Sequence, residues 1–169
     1  MKKLLVLALV LSVATMANAA LQLTITGPSE LATGATGTYT VGYGGDAILG
    51  SDVDVTGTLG TIGGGLAITS NRDAALDYFG INVASPNYEC AIINDLAGTD
   101  MGSPLYSFTF TAGTVAGWAT IALNDNAQLG LDWNTIVSTM PAVQVHITPE
   151  PITMALLGLG GLFLRRRSK

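Results

Sequence analysis

Apolar and polar residues alternate with a period of two in several stretches of this chain, which is the pattern of strands that bury one face. In Leu105–Thr111, the side chains of Tyr106, Phe108 and Phe110 share one face. Glycine, proline, asparagine and aspartate separate such stretches from one another. We predict strands at Leu21–Thr26, Tyr39–Tyr43, Ile48–Leu59, Tyr78–Val83, Tyr88–Ile93, Leu105–Thr111, Trp118–Leu123 and Ala142–Ile147. Many short strands without a βαβ rhythm indicate an all-β fold, an antiparallel β-sandwich.

The stretches between these strands give weaker signals. Gly63–Gly65 is predicted to be a flexible turn, and Asn124–Asn126 is predicted to end the preceding strand. Leu131–Met140 is ambiguous, and a short helix that begins near Asp132 is one interpretation. Trp118 lies on the strand face opposite Ile121, either in a second layer of core or outside, and we favour the core.

The N-terminus has the layout of a secretory signal peptide. Lys2 and Lys3 precede the apolar stretch Leu4–Val13, and the small residues Ala17–Ala19 follow. This order of basic, apolar and small-residue regions predicts a helical signal peptide over residues 1–19, with cleavage after Ala19. The body of the protein then spans residues 20–148, which is enough for one domain with a substantial core.

The C-terminus has three parts in a fixed order. Pro149, Glu150 and Pro151 are followed by the apolar stretch Ile152–Leu164, and the basic residues Arg165, Arg166 and Arg167 come near the end. As a helix, the apolar stretch is about 20 Å long, which is short for a permanent membrane span. The arginines are expected to stay on the cytoplasmic side and stop transfer.

This three-part tail, residues 149–169, resembles the PEP-CTERM sorting signal of bacterial surface proteins. The resemblance implies processing by an exosortase-type membrane transpeptidase and a transient membrane anchor before processing. The expected location is the cell envelope, the cell surface or the extracellular space. The expected site of processing is Pro149–Pro151.

Charge is distributed unevenly between the body and the two ends. Six of the seven basic residues lie in the ends, and the body keeps Arg72 against eleven of the twelve acidic residues, a formal net charge of −10. Such a surface repels phosphate, so nucleic acid is not an expected partner. Neutral glycans, cations and basic protein surfaces remain as candidates.

A second resemblance covers the body. The segments "GATGTYTVGY", "SPLYSFTFTA", "GWATIALND" and "PAVQVHI" follow one another in the order of strands in a cohesin domain. The resemblance implies a cohesin-like, jelly-roll sandwich, a fold shared with several carbohydrate-binding modules. It further implies an interaction with a protein partner, although the "YDP"-like segment common in cohesins has no clear counterpart here.

Catalytic residues are scarce in the body. It has no lysine, and Cys90, His146 and Arg72 are each the single residue of their type. A Ser-His-Asp or Cys-His arrangement would need His146, which the alternation places on the exposed side of the last strand. We therefore predict no catalytic site and no enzyme, with a small secreted hydrolase as the last alternative.

Binding sites are predicted only as candidates. No metal site is predicted; Asp46, Asp52 and Asp54 are weak candidate ligands for Ca²⁺, because their spacing is not that of a calcium-binding loop. We predict no resident cofactor and keep Ca²⁺ as an open alternative. Trp133, between Asp132 and Asn134, is the tryptophan that we expect to be exposed and to contact a glycan.

The sequence thus predicts an exported β-sandwich that works in interaction or adhesion at the cell surface or in an extracellular matrix. A carbohydrate-binding module for extracellular polysaccharide is the alternative.

Overall fold

The computed structural model describes residues 21–81, 87–94 and 99–150, together with Leu156, Leu157 and Leu159. Within this part of the chain, eleven strands form two facing sheets. Their bounds are β1 Leu21–Thr26, β2 Glu30–Ala32, β3 Thr36–Gly44, β4 Ile48–Gly57, β5 Gly60–Ala67, β6 Tyr78–Ile81, β7 Tyr88–Ile93, β8 Tyr106–Ala112, β9 Gly117–Gly130, β10 Ser138–Thr139 and β11 Ala142–Thr148.

The two sheets have the strand orders β10-β1-β3-β8-β5 and β2-β11-β9-β4-β7-β6. Neighbouring strands are antiparallel except in the pairs β1–β10 and β2–β11. The predicted all-β sandwich is therefore confirmed. The sequence pattern missed β2 and β10, because three or two residues are too few to show a period of two.

The core lies between the sheets and is asymmetric. The five-stranded sheet supplies large rings, in which Tyr39 and Phe108 stack with centroids 5.7 Å apart and Phe110 meets Tyr39 edge-on at 6.4 Å. The six-stranded sheet opposes them with aliphatic side chains, including Val53, Val55, Ile121, Val145 and Ile147, all at most 1% exposed. Large rings against smaller branched side chains let the two layers interdigitate at the density of a protein interior.

One ring requires a glycine beside it. A Cβ atom placed on Gly60 would lie 2.4 Å from Cζ of Phe110, closer than two carbon atoms can approach. Gly60 therefore lets β5 pair with β8 directly over the buried ring.

Two predicted strand ends were wrong. Gly63–Gly65 was predicted to be a turn but belongs to β5, where the register with β8 shifts between Gly63 and Leu66. β9 does not end at Asn124–Asn126, because its pairing with β4 continues after a register shift between Asp52 and Val53. A bulge absorbs the irregularity in each case without ending the strand.

The interpretation of Leu131–Met140 as a helix was also wrong. The chain turns at Gly130–Asn134 and returns along β9, so that the Ile136 amide donates to the Gln128 carbonyl at 2.8 Å. The carboxylate of Asp132 accepts a hydrogen bond from the Asn134 amide at 3.1 Å, which stabilises a turn in place of a helix start.

The predicted signal peptide, residues 1–19, lies outside the described residues, as do Pro151 and Arg165–Arg167. Within the C-terminal apolar stretch, Leu156, Leu157 and Leu159 are helical. No helix in the described part of the chain is long and apolar enough to cross a membrane.

We expect Phe108→Ala to lower the free energy of unfolding by about 3–5 kcal/mol, because it removes a fully buried ring and leaves a cavity between the sheets. Chemical denaturation measures the change. Thr38→Ala, at an exposed position on the neighbouring strand β3, is the control and should change stability by less than about 0.5 kcal/mol. Equal effects of the two substitutions would contradict the assignment of the core.

Candidate functional site

The outer face of the six-stranded sheet is the surface that points away from the core. On β9, Ala119, Ile121 and Leu123 are buried in the core. Successive side chains of a strand point to opposite sides, so Trp118 and Thr120 must point outward. This face is a candidate binding surface, and it changes character from one end to the other.

One end of this face carries a row of three side chains on adjacent strands, which we call the aromatic row: Glu30, His146 and Trp118. His146 on β11 is in register with Glu30 on β2 and with Trp118 on β9. The imidazole stacks on the indole with centroids 4.8 Å apart and an interplanar angle of 28°. Nδ1 of His146 lies 3.8 Å from Oε1 of Glu30. The row therefore joins a ring pair to a carboxylate at the sheet surface.

Trp118 is 65% exposed, so the preference for a position in the core was wrong. The sequence contained a sufficient signal, because Trp118 is three residues from Ile121 and an odd separation along a strand means opposite faces. No described segment packs over this part of the outer face as a second layer.

The middle of the face is uncharged and hydrogen-bonded. Nε2 of Gln144 donates to Oγ1 of Thr120 at 2.9 Å, and the Thr120 amide donates to Oγ1 of Thr58 at 2.8 Å. Nδ2 of Asn124 approaches Oγ1 of Thr56 at 3.5 Å. The middle of the outer face is therefore covered by uncharged hydroxyl and amide groups.

The far end of the face is acidic. Asp54 on β4 lies directly opposite Glu89 on β7, and Asp52 is two residues away on the same strand. Nδ2 of Asn87 donates to Oδ2 of Asp54 at 3.1 Å, and Asp54 is only 7% exposed. Burial, together with the charges of Asp52 and Asp54, raises the pKa of Glu89. Asp52 and Asp54 point outward as predicted, but Asp54 is less solvated than expected.

These carboxylates do not make a metal site by their geometry. Within residues 21–81, 87–94 and 99–150, no three side chains of His, Cys, Asp or Glu are grouped so that they could hold a metal ion. Asp46, the third candidate ligand, lies in the turn between β3 and β4, away from the strand positions of Asp52 and Asp54. Binding of Ca²⁺ stays an untested prediction.

Trp133 lies in the turn that follows β9. Its backbone has φ = 64°, which an L-residue with a large side chain rarely adopts. Nδ2 of Asn134 donates to Oδ2 of Asp132 at 2.6 Å, and these contacts lower the pKa of Asp132. In this turn, Trp133 is 46% exposed to solvent. Since strained backbone often marks functional positions, the turn is a second candidate site.

The two tryptophans do not belong to one site. Trp118 is near the start of the 14-residue strand β9, and Trp133 follows its end. At the usual rise of an extended strand, about 40 Å of chain separates the two positions.

The structure also separates the residues that could have made a Cys-His pair. Cys90 is fully buried on the inner face of the six-stranded sheet, whereas His146 lies on the outer face. Burial, with smaller contributions from Asp52, Glu89 and Asp54, raises the pKa of Cys90 to about 12. A thiol in this state is a poor nucleophile.

We expect Glu89→Gln to stabilise the protein by about 0.5 kcal/mol near neutral pH, because it removes a like-charge pair across two strands. The raised pKa means that the native state disfavours the ionised carboxylate, so the cost is present above that pKa and vanishes as the pH falls through it. Denaturation at several pH values and in high salt measures the gain, which both acid and salt should reduce.

Glu30→Gln is the control for this prediction, since the residue opposite Glu30 in β11 is His146 and not a carboxylate. A gain at Glu30→Gln as large as that at Glu89→Gln would show that general net charge, and not the pair, causes the effect.

We expect Trp133→Gly to be about 1 kcal/mol more stable than Trp133→Ala, because glycine adopts a positive φ without the steric cost of a Cβ atom. Both variants remove the indole, so their difference isolates the backbone. Denaturant unfolding of the two variants measures it, and equal stability would show that the turn relaxes when the ring is lost.

Comparison with known proteins gives one match in sequence and several in structure. Residues 148–168 match the family model of the PEP-CTERM protein-sorting motif. The motif indicates an exported protein that is sorted to the cell envelope or surface. No curated protein matches the chain in sequence.

Among solved structures, the chain is similar to three cohesins. A cohesin module of a family 33 glycoside hydrolase from Clostridium perfringens has a TM-score of 0.61 at 11% identity, over 78% of this chain and 99% of that one. The sixth cohesin of scaffoldin B from Acetivibrio cellulolyticus, solved in complex with a dockerin, has a TM-score of 0.58 at 15% identity, over 76% and 98%. A non-cellulosomal cohesin from Archaeoglobus fulgidus has a TM-score of 0.56 at 14% identity, over 79% and 96%. The chain therefore carries a PEP-CTERM sorting motif and has a cohesin-like fold.

Proposed function

We propose that this protein is a non-enzymatic adhesion module that acts at the cell surface or in the extracellular matrix and binds through the outer face of its six-stranded sheet. The observation that carries the proposal is the exposed ring pair of Trp118 and His146 on that face. Large aromatic side chains kept at the surface beside polar groups are typical of binding surfaces.

The sorting motif supports the location. Residues 148–168 match a signal for exported proteins, and such a signal implies an exosortase-type processing enzyme. Processing within Pro149–Pro151 would separate the sandwich from the apolar tail and leave it outside the membrane, where its outer face can bind.

The described side chains support a binding role over catalysis. The thiol of Cys90 is buried and has a raised pKa, so it does not supply a thiolate. The neighbours that the structure gives His146 on the outer face are Glu30 and Trp118, and neither is a nucleophile that a histidine would activate. Among the described residues, the geometry therefore does not support a hydrolase that depends on His146 or Cys90.

A protein partner is the second candidate. The observation that favours it is the likeness to the Acetivibrio cellulolyticus cohesin, which was solved in complex with a dockerin. The acidic end of the face, with Asp52, Asp54 and Glu89, would suit a basic surface on such a partner. The glycan contact predicted for Trp133 belongs to a different part of the molecule, the turn after β9.

The test expresses the full-length gene in the protein's own cells and measures how much of the exported protein is retained on their isolated envelope and extracellular polymer. We expect Gln144→Arg to reduce retention about tenfold, because it puts a long charged side chain into the uncharged middle of the face. Quantitative immunoblotting of bound and free fractions measures the change.

Gln22→Arg is the matched control, since Gln22 is also an exposed glutamine on a strand, but on the outer face of the other sheet. It should leave retention unchanged. Loss of retention in both variants, or in neither, would contradict adhesion through the proposed face.

A further inference from the structure

We propose that the aromatic row is a subsite for a neutral polysaccharide, in which one sugar ring packs on the indole of Trp118 and hydroxyls of neighbouring units bond to Glu30 and Gln144. This inference rests on the proposed adhesion function and specifies its ligand. It assigns the glycan contact to Trp118 and not to Trp133.

The geometry of the ring pair is the first step. The indole of Trp118 is held against the imidazole of His146, at 4.8 Å and 28°, yet the residue is 65% exposed. The backbone amide of His146 donates to the Ser29 carbonyl at 2.9 Å, so β11 is fixed on both sides. A ring that is already ordered loses little conformational freedom when a ligand packs on it. An exposed apolar ring plane is the surface that the C–H face of a sugar requires.

The polar neighbours are the second step. Glu30 on β2 is in register with His146 on β11, and the side chain of Glu30 is 64% exposed. A carboxylate offers several acceptor positions, and one contact to His146 leaves some of them for ligand hydroxyls. Gln144 is two residues along β11 from His146, about 7 Å away, and its amide carbonyl can accept a further hydroxyl. Glu30 and Trp118 are two strand spacings apart, about 10 Å, so neighbouring units of one sugar chain can reach both the ring plane and the hydroxyl acceptors.

The charge of the face selects the kind of polymer. The body has a net charge of −10. Nε of its single arginine, Arg72, lies 2.6 Å from Oδ2 of Asp77, in the segment between β5 and β6 and not in the aromatic row. Uronate or sulfate groups would meet Glu30 at the row and Asp54 at the far end, and like charges repel. A neutral chain avoids this cost and can continue over the uncharged side chains of Thr120, Thr58 and Asn124.

The experiment titrates the protein extracted from the cell surface with hexasaccharides of glucose, xylose and mannose, and with an anionic hexamer of galacturonate. Tryptophan fluorescence and calorimetry report binding. We expect at least one neutral hexasaccharide to bind and the galacturonate hexamer to bind more weakly. Trp118→Ala should raise Kd by about tenfold or more, and Trp118→Phe, which keeps a ring, should raise it less.

Two further variants make the assignment specific. His146→Ala should weaken binding because the indole loses its stacking partner, and His146→Phe should restore part of it. Trp133→Ala should change Kd by less than about twofold, since that ring lies at the other end of β9. Denaturation midpoints confirm that each variant is folded, which is expected for exposed positions.

Each contrary result has a separate meaning. Failure of every neutral hexasaccharide to bind, or unchanged binding in Trp118→Ala, would overturn the subsite. Preference for the galacturonate hexamer would overturn the choice of a neutral polymer. Loss of binding in Trp133→Ala alone would place the glycan contact in the turn. If Gln144→Arg abolishes retention while no neutral glycan binds, the inference fails and the adhesion function stands.

Discussion

The packing of large rings on one sheet against branched aliphatic side chains on the other determines the rest of this molecule. Tyr39, Phe108 and Phe110 fill the space that Val55, Ile121 and Val145 leave. Once these residues are buried, the alternation of a strand forces each of their neighbours outward. The exposure of Trp118 is therefore a consequence of the burial of Ala119 and Ile121. A shift of register by one residue would bury the tryptophan and expose the core.

The same constraint gives the two outer faces different chemistry. The outer face of the five-stranded sheet is formed largely by hydroxyl side chains, among which Oγ1 of Thr36 and Oγ1 of Thr111 lie 2.8 Å apart. The outer face of the six-stranded sheet has rings at one end and carboxylates at the other. Burial, together with the nearby charges of Asp52 and Asp54, raises the pKa of Glu89 at this acidic end. A surface that keeps both an exposed indole and a repulsive acidic cluster is not optimised for stability alone, and this difference favours the six-stranded sheet as the functional face.

The sequence predicted the sandwich and most of its core because a period of two over five or more residues has one structural meaning. It failed where the local signal is short or has two meanings. β2 and β10 have too few residues to alternate, and they are held by pairing with β11 and β1, which only the tertiary structure reveals. Glycines in β5 resemble a turn, but they allow Phe79 to approach Gly65 closely. The aromatic row could not be predicted, because its three members are far apart in sequence and meet only through strand register.

The distance between the two exposed tryptophans limits which of them a ligand of a given length can contact. Trp118 lies near the start of β9 and Trp133 follows its end, about 40 Å further along the chain. A short oligosaccharide bound at the aromatic row therefore does not reach Trp133, whereas a polymer can continue from the row over the uncharged middle of the face. Contacts of one continuous chain with the row and with the middle of the face would reinforce each other through effective concentration. With modest affinity at each of these contacts, the module would hold a long polymer more firmly than a fragment, which is the property that adhesion to a matrix needs.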